Sequence, residues 1–94
     1  MEIIYKPLFK SFVKKQNRGF QLAIEDAIDC IKAEPAIGKE KTGDLSGFLV
    51  YKFIFTGKEY LVAYKPGRNR LVFYKMGTHE NFYRNLKHYI REVK

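Results

Sequence analysis

A chain of 94 residues fits one folded domain and leaves too little length for two independent cores. With 46% hydrophobic and 16% aromatic residues it carries enough apolar surface to fold, which excludes a disordered chain. Eighteen Lys and Arg against ten Asp and Glu leave a net charge of +8, a field that gathers polyanions: nucleic acid, an acidic protein or a membrane surface.

The single Cys30 excludes an internal disulfide, and one Cys with two His does not make a structural zinc site. Met1 to Lys6 lacks a charged region followed by a long apolar stretch, and no apolar run approaches the roughly 20 residues of a membrane span. These features predict a soluble, cytoplasmic protein without a membrane, metal or cofactor.

Glu2 to Tyr5 reads as a short first strand, and Pro7 suits the first turn of a helix, where its missing N–H costs nothing. Leu8, Phe9, Phe12 and Val13 mark one face of that helix, which ends near Gln16-Asn17-Arg18-Gly19. Phe20, Ile24, Ala27, Ile28 and Ile31 then repeat at helical spacing until Pro35. The two helices form an αα-hairpin laid on something flat and apolar. Cys30 falls beside the stripe, as a partly buried, inert thiol.

Glu34 to Gly47 has the Gly, Pro and charge content of a loop. The period then changes: Leu49, Tyr51, Phe53 and Phe55 alternate with Val50, Lys52 and Ile54, a strand apolar on both faces apart from Lys52. Tyr60 to Lys65 and Leu71 to Met76 follow as strands. Lys65-Pro66-Gly67-Arg68 is read as a type II turn between them, and the three strands as an antiparallel meander. Gly77-Thr78 is read as breaking the third strand, with Thr78 as the cap of a helix striped by Phe82, Leu86, Tyr89, Ile90 and Val93. The order is β-α-α-β-β-β-α, an α+β fold expected to hold its helices on one face and offer exposed apolar and aromatic groups on the other.

No phosphate loop, nucleophile elbow, zinc-protease or calcium-loop motif occurs, and no pair of carboxylates is brought together by spacing. What remains is basic and aromatic. Lys52, Lys58, Lys65, Arg68, Arg70 and Lys75 lie on the meander, and Arg84, Lys87, His88 and Arg91 on the last helix. Tyr51, Tyr60, Tyr64, Phe73, Tyr74 and Tyr83 are interleaved with them, a composition that suits stacking on unpaired bases while cations hold phosphates. The plainer reading is ordinary strand aromatics beside solvated lysines, and composition alone leaves both open. His79 stands where strand meets helix, next to Glu80 and four residues before Tyr83. Strand cleavage of RNA needs a proton acceptor, a proton donor and cations for the charged phosphorus, and His, Glu, Tyr, Lys and Arg supply all three.

The order of elements, Gly43-Asp44-Leu45-Ser46-Gly47, Tyr60-Leu61-Val62-Ala63-Tyr64 and above all Gly77-Thr78-His79-Glu80-Asn81-Phe82-Tyr83 resemble the RelE/ParE toxins of toxin–antitoxin modules. The ending is most similar to the YafQ-type ribonucleases. That resemblance covers nearly the whole chain and implies a RelE-like domain that cuts mRNA on the ribosome and is silenced by a cognate antitoxin, with no direct DNA binding outside that complex. It puts His79 and Tyr83 on the catalytic positions and Lys52 on a phosphate-binding strand. Lys65, Arg70, Lys75 and Arg84 are the further phosphate-binding candidates. Two positions depart from the pattern: Leu61 stands where RelE has an Arg, and Asn81 where the motif has an Asp. ParE members use the same fold to poison DNA gyrase without a ribonuclease set, so a gyrase binder is the alternative, and an inactive relative that binds only its antitoxin is a third reading.

Overall fold

The computed structural model describes residues 1–92. Its elements are β1 (Glu2–Tyr5), α1 (Pro7–Lys14), α2 (Arg18–Ala33), β2 (Lys39–Glu40), β3 (Leu49–Phe55), β4 (Lys58–Gly67), β5 (Arg70–Thr78) and α3 (Phe82–Glu92), with a 3-10 turn at Gly43–Leu45. This is the expected α+β order, with a two-residue strand added in the loop after α2. No helix among the described residues is long and apolar enough to cross a membrane.

The sheet runs β1-β5-β4-β3-β2. Its centre is the expected antiparallel meander, while β1 lies parallel to β5, with Ile3 opposite Leu71 and Tyr5 opposite Phe73. The αα-hairpin carries the chain from β1 across the sheet to its far edge at β2, and the meander then returns to place β5 beside β1. The hairpin is fixed locally: the Asn17 side chain accepts the Phe20 N–H at 2.9 Å and caps α2, and the Gln21 amide donates to the Val13 carbonyl at 2.9 Å. Phe9, Phe20, Ile24 and Ile31 then press on Val62, Tyr64, Leu71, Phe73 and Met76 across the first face of the sheet.

The helices do not all share that face. The Phe82-Leu86 stripe of α3 covers Val50, Leu61 and Ala63 on the second face, because its apolar width matches the apolar set that alternates with Val62 and Tyr64. The stripe continues to Ile90, and Val93 lies outside the described residues.

Three local readings change. The reversal between β4 and β5 sits at Arg68-Asn69, with Asn69 at φ 56°, and Pro66 remains in the ladder opposite Leu71. Asn tolerates the left-handed conformation, and the β3 ladder starts only at Leu49 opposite Tyr64, so no β3 carbonyl waits for the N–H that Pro66 lacks. Gly77 and Thr78 continue β5 instead of breaking it, and α3 begins at Phe82 after a turn in which Asn81 has φ 58°. Cys30 is exposed, because the buried stripe of α2 runs through Ala27 and Ile31. Its thiol faces the Tyr51 phenol, whose pKa burial, and then this thiol, push up.

Candidate nucleic-acid interface on the second face

His79 is the first residue beyond β5 and is exposed. Its carbonyl accepts the Phe82 N–H at 3.2 Å, which closes the turn into α3 and brings the helix's second residue, Tyr83, beside the imidazole. The two rings meet edge to face with centroids 5.8 Å apart. Phe82, 1% exposed, is the anchor of this arrangement: it fills the space over Gly77, and Tyr83 leans on it at 5.4 Å.

Beside this pair the sheet breaks its period. Ala63 faces Lys75 and Tyr64 faces Phe73, so Tyr74 is the extra residue of a β-bulge. In a regular strand Tyr74 and Lys75 would point to opposite faces. The bulge sends both to the second face, where Tyr74 meets Phe48 edge-on at 4.8 Å and the Lys75 ammonium stands 5.5 Å from the Phe82 ring. Lys75 is half-buried, and that burial pushes its pKa down.

The loop from Lys41 to Phe48 folds back over the same face. The Lys41 N–H donates to the Phe48 carbonyl at 2.9 Å, Leu45 is buried against α3, and Gly43 and Gly47 take positive φ values of 65° and 93°. Gly47 has a second reason to lack a side chain, since a Cβ there would lie 3.2 Å from the Lys65 stem. The loop delivers the Lys41 ammonium 4.7 Å above the Tyr83 ring and sets Phe48 beneath Lys65 at 5.4 Å. Lys6, brought in by the parallel pairing of β1, stands 5.6 Å from the Tyr74 ring.

Four lysines thus sit on one aromatic surface, and none forms an ion pair. The two ion pairs among the described residues, Arg18 with Glu25 and His88 with Glu92, lie on α2 and α3. A half-buried Lys75 without a carboxylate partner costs stability.

The expected site residues divide accordingly. His79, Tyr83, Lys65 and Lys75 belong to this surface. Lys52 is exposed on β3 in the cross-strand row of Leu61 and Gly77, two strands or about 10 Å from the His79 turn. Arg70 is at the opposite end of β5, eight residues or about 26 Å from Thr78, and does not converge on His79. Arg84 is exposed on α3, between the packed Phe82 and Leu86. Lys6, Lys41 and Phe48 were not singled out from sequence. Nothing local identifies Lys6, whereas the closely spaced Gly43 and Gly47 are the trace that Lys41 and Phe48 leave.

A concavity of about 630 Å³ lies elsewhere. It is a mainly apolar groove of Tyr5, Phe9, Val13, Ile24 and Ile28 along α1 and α2, holds none of these site residues and has the chemistry of a packing surface. No curated protein matches the chain. Residues 3–87 match the family model of the ParE-like toxin of type II bacterial toxin-antitoxin systems, and the chain therefore belongs to that family, whose members answer to a cognate antitoxin.

Proposed function

We propose that this toxin is a metal-independent, ribosome-dependent endoribonuclease that cuts mRNA and stops translation. The observation that carries the reading is the pair of exposed His79 and half-buried Tyr83 at the rim of a surface whose lysines have no ion-pair partner among the described residues. In such a reaction the 2′-oxygen forms a bond to phosphorus as the bond from phosphorus to the 5′-oxygen breaks. The 2′-hydroxyl proton goes to one group, another group gives a proton to the departing oxygen, and the extra negative charge falls on the non-bridging oxygens. His79 is assigned one proton transfer, since imidazole is the side chain best suited to exchanging protons near neutral pH. Tyr83 is assigned the other transfer or a stacking contact with the adjacent base. Lys75 and Lys41 are assigned to the charge on phosphorus, with Lys52 at the flank.

The ParE-like character of the matched family favours a second reading, a gyrase poison without catalysis. One variant separates the two. His79→Ala is expected to melt with the parent and to cut ribosome-bound mRNA about 10²–10⁴-fold more slowly, the usual worth of a positioned acid or base. Primer extension after induction reads the outcome in cells: discrete new 5′ ends that vanish in His79→Ala support the nuclease. Intact transcripts with an induced DNA-damage response overturn it in favour of gyrase.

A further inference from the structure

The second face holds more cation than the His79–Tyr83 pair can use. Moving along β5 away from His79, the Lys6 ammonium stands over Tyr74, Tyr74 abuts Phe48, and the Lys65 ammonium stands over Phe48. Phe48 is 4% exposed and serves as a floor, whereas Lys65 is exposed and Tyr74 half-buried. These two lysines come from opposite flanks: one from the junction of β1 and α1, the other from β4.

An aromatic ring holds an ammonium in place without cancelling its charge, which is the difference from a carboxylate partner. Every cation–π contact among the described residues lies on this face, and none of its four lysines is in an ion pair there; the His88–Glu92 pair is on the exposed side of α3. The charge is therefore positioned and left available. Tyr74 and Thr78 are four residues apart on β5, about 13 Å, which is longer than one nucleotide of extended chain. A lysine station at Tyr74, set that far from the His79 turn along β5, suits a polyanion with regularly repeated charge.

We propose that Lys6, Lys65 and the Tyr74 hydroxyl form a second phosphate subsite, which grips single-stranded RNA at least one nucleotide away from the bond cut beside His79 and Tyr83. The inference rests on the ribonuclease reading and adds substrate length to it: a short fragment reaches one station, a longer strand both.

The test uses fluorescein-labelled 2′-O-methyl RNA, which lacks the attacking hydroxyl, as a dinucleotide and as an oligomer of about eight nucleotides. Binding is measured by anisotropy across a salt series for the parent, Lys6→Gln/Lys65→Gln, Lys32→Gln and His79→Ala, each checked by thermal melting. The double variant should bind the oligomer about tenfold more weakly, the worth of one charge-assisted hydrogen bond. Its log–log salt slope should fall by about 0.7 for the phosphate lost. Dinucleotide binding should not change, and Lys32→Gln should match the parent for both probes. Unchanged oligomer binding in the double variant, or equal weakening of both probes, overturns the subsite. A parent that binds neither RNA, together with a double variant that loses affinity for the antitoxin, overturns it in favour of an acidic protein segment. Failure of the ribonuclease reading shows separately, as parental cleavage of ribosome-bound mRNA by His79→Ala while the subsite variants still lose oligomer binding.

Discussion

The two faces of the sheet are built from the same strands and solve opposite problems. On the first, Tyr5, Phe9, Phe73 and Tyr64 form a cluster of rings with neighbouring centroids 5.4 to 5.9 Å apart. The hydroxyl of its fully buried tyrosine, Tyr64, has both partners: it donates to the Pro35 carbonyl at 2.7 Å and accepts the Gly38 N–H at 2.9 Å. On the second face the rings are equally close, yet each of four carries a lysine. Aromatics packed on aromatics hold the fold, and aromatics packed under cations hold charge ready for a ligand.

The contrast predicts opposite responses to substitution. The largest effect is expected at Phe73, 0% exposed and in contact with three rings of the first face: Phe73→Ala should cost about 3–5 kcal/mol, enough to unfold much of a domain this small. A denaturation midpoint close to the parent's would break the assignment of that face as the main core. Leu86→Ala tests the cover of the second face and should cost about 2–5 kcal/mol, since Leu86 is also 0% exposed. If its midpoint is unchanged, α3 is peripheral and the His79 turn has no fixed frame.

Tyr64→Phe removes only an oxygen, leaving the Gly38 N–H and the Pro35 carbonyl without their partner, and should cost about 1–3 kcal/mol. Gly38→Ala should be no milder, because a Cβ there would stand 2.7 Å from that hydroxyl oxygen and 3.1 Å from Leu49 Cβ. Equal stability of either variant and the parent would show that this loop is not tied to the sheet.

Lys75→Met should reverse the sign, raising stability by about 1 kcal/mol or less while weakening RNA binding. Burial lowers the folded-state pKa of Lys75 below the ordinary value of 10.5. In the window between the two, the unfolded chain binds more protons, so the parent gains stability as pH rises through it. At neutral pH both states are charged and the full burial penalty is present. The advantage of Lys75→Met should therefore be constant near neutrality and shrink at alkaline pH. Burial raises the pKa of Tyr64, Tyr51 and Tyr5 and erodes stability above pH 10 in both proteins, so that effect drops out of the difference. A variant less stable than the parent at neutral pH would place Lys75 among structural residues. The smallest effect belongs to Ile54, 71% exposed on the second face, where Ile54→Thr should stay within about 0.5 kcal/mol in urea titration.

The helices and the meander were legible because each follows a short-range period: Phe20, Ile24, Ala27 and Ile31 space a helix, and Tyr60 to Lys65 spells a strand. The nearness of His79 to Tyr83 was legible because four residues separate them at the junction of strand and helix. The β-bulge at Tyr74 was not, since two successive residues on one face contradict the period itself. Lys6 was invisible for another reason: its place depends on a pairing between residues 2–5 and 70–73, and no local pattern encodes it. Pro66-Gly67 misled because it carries the residues of a tight turn, while the neighbouring Asn69 supplied the left-handed backbone instead.

That same pairing sets a clock for biosynthesis. β5 joins β1 to the meander, so the sheet cannot close until residues 70–78 have left the ribosome, although β1 emerged first. Contacts this distant in sequence form late and slowly. Lys6 reaches Tyr74 only after residue 74 has been made, and His79 reaches Tyr83 only after residue 83 has. A chain that lacks residues 70–78 consequently lacks the joined sheet and its lysine surface, whatever target that surface serves.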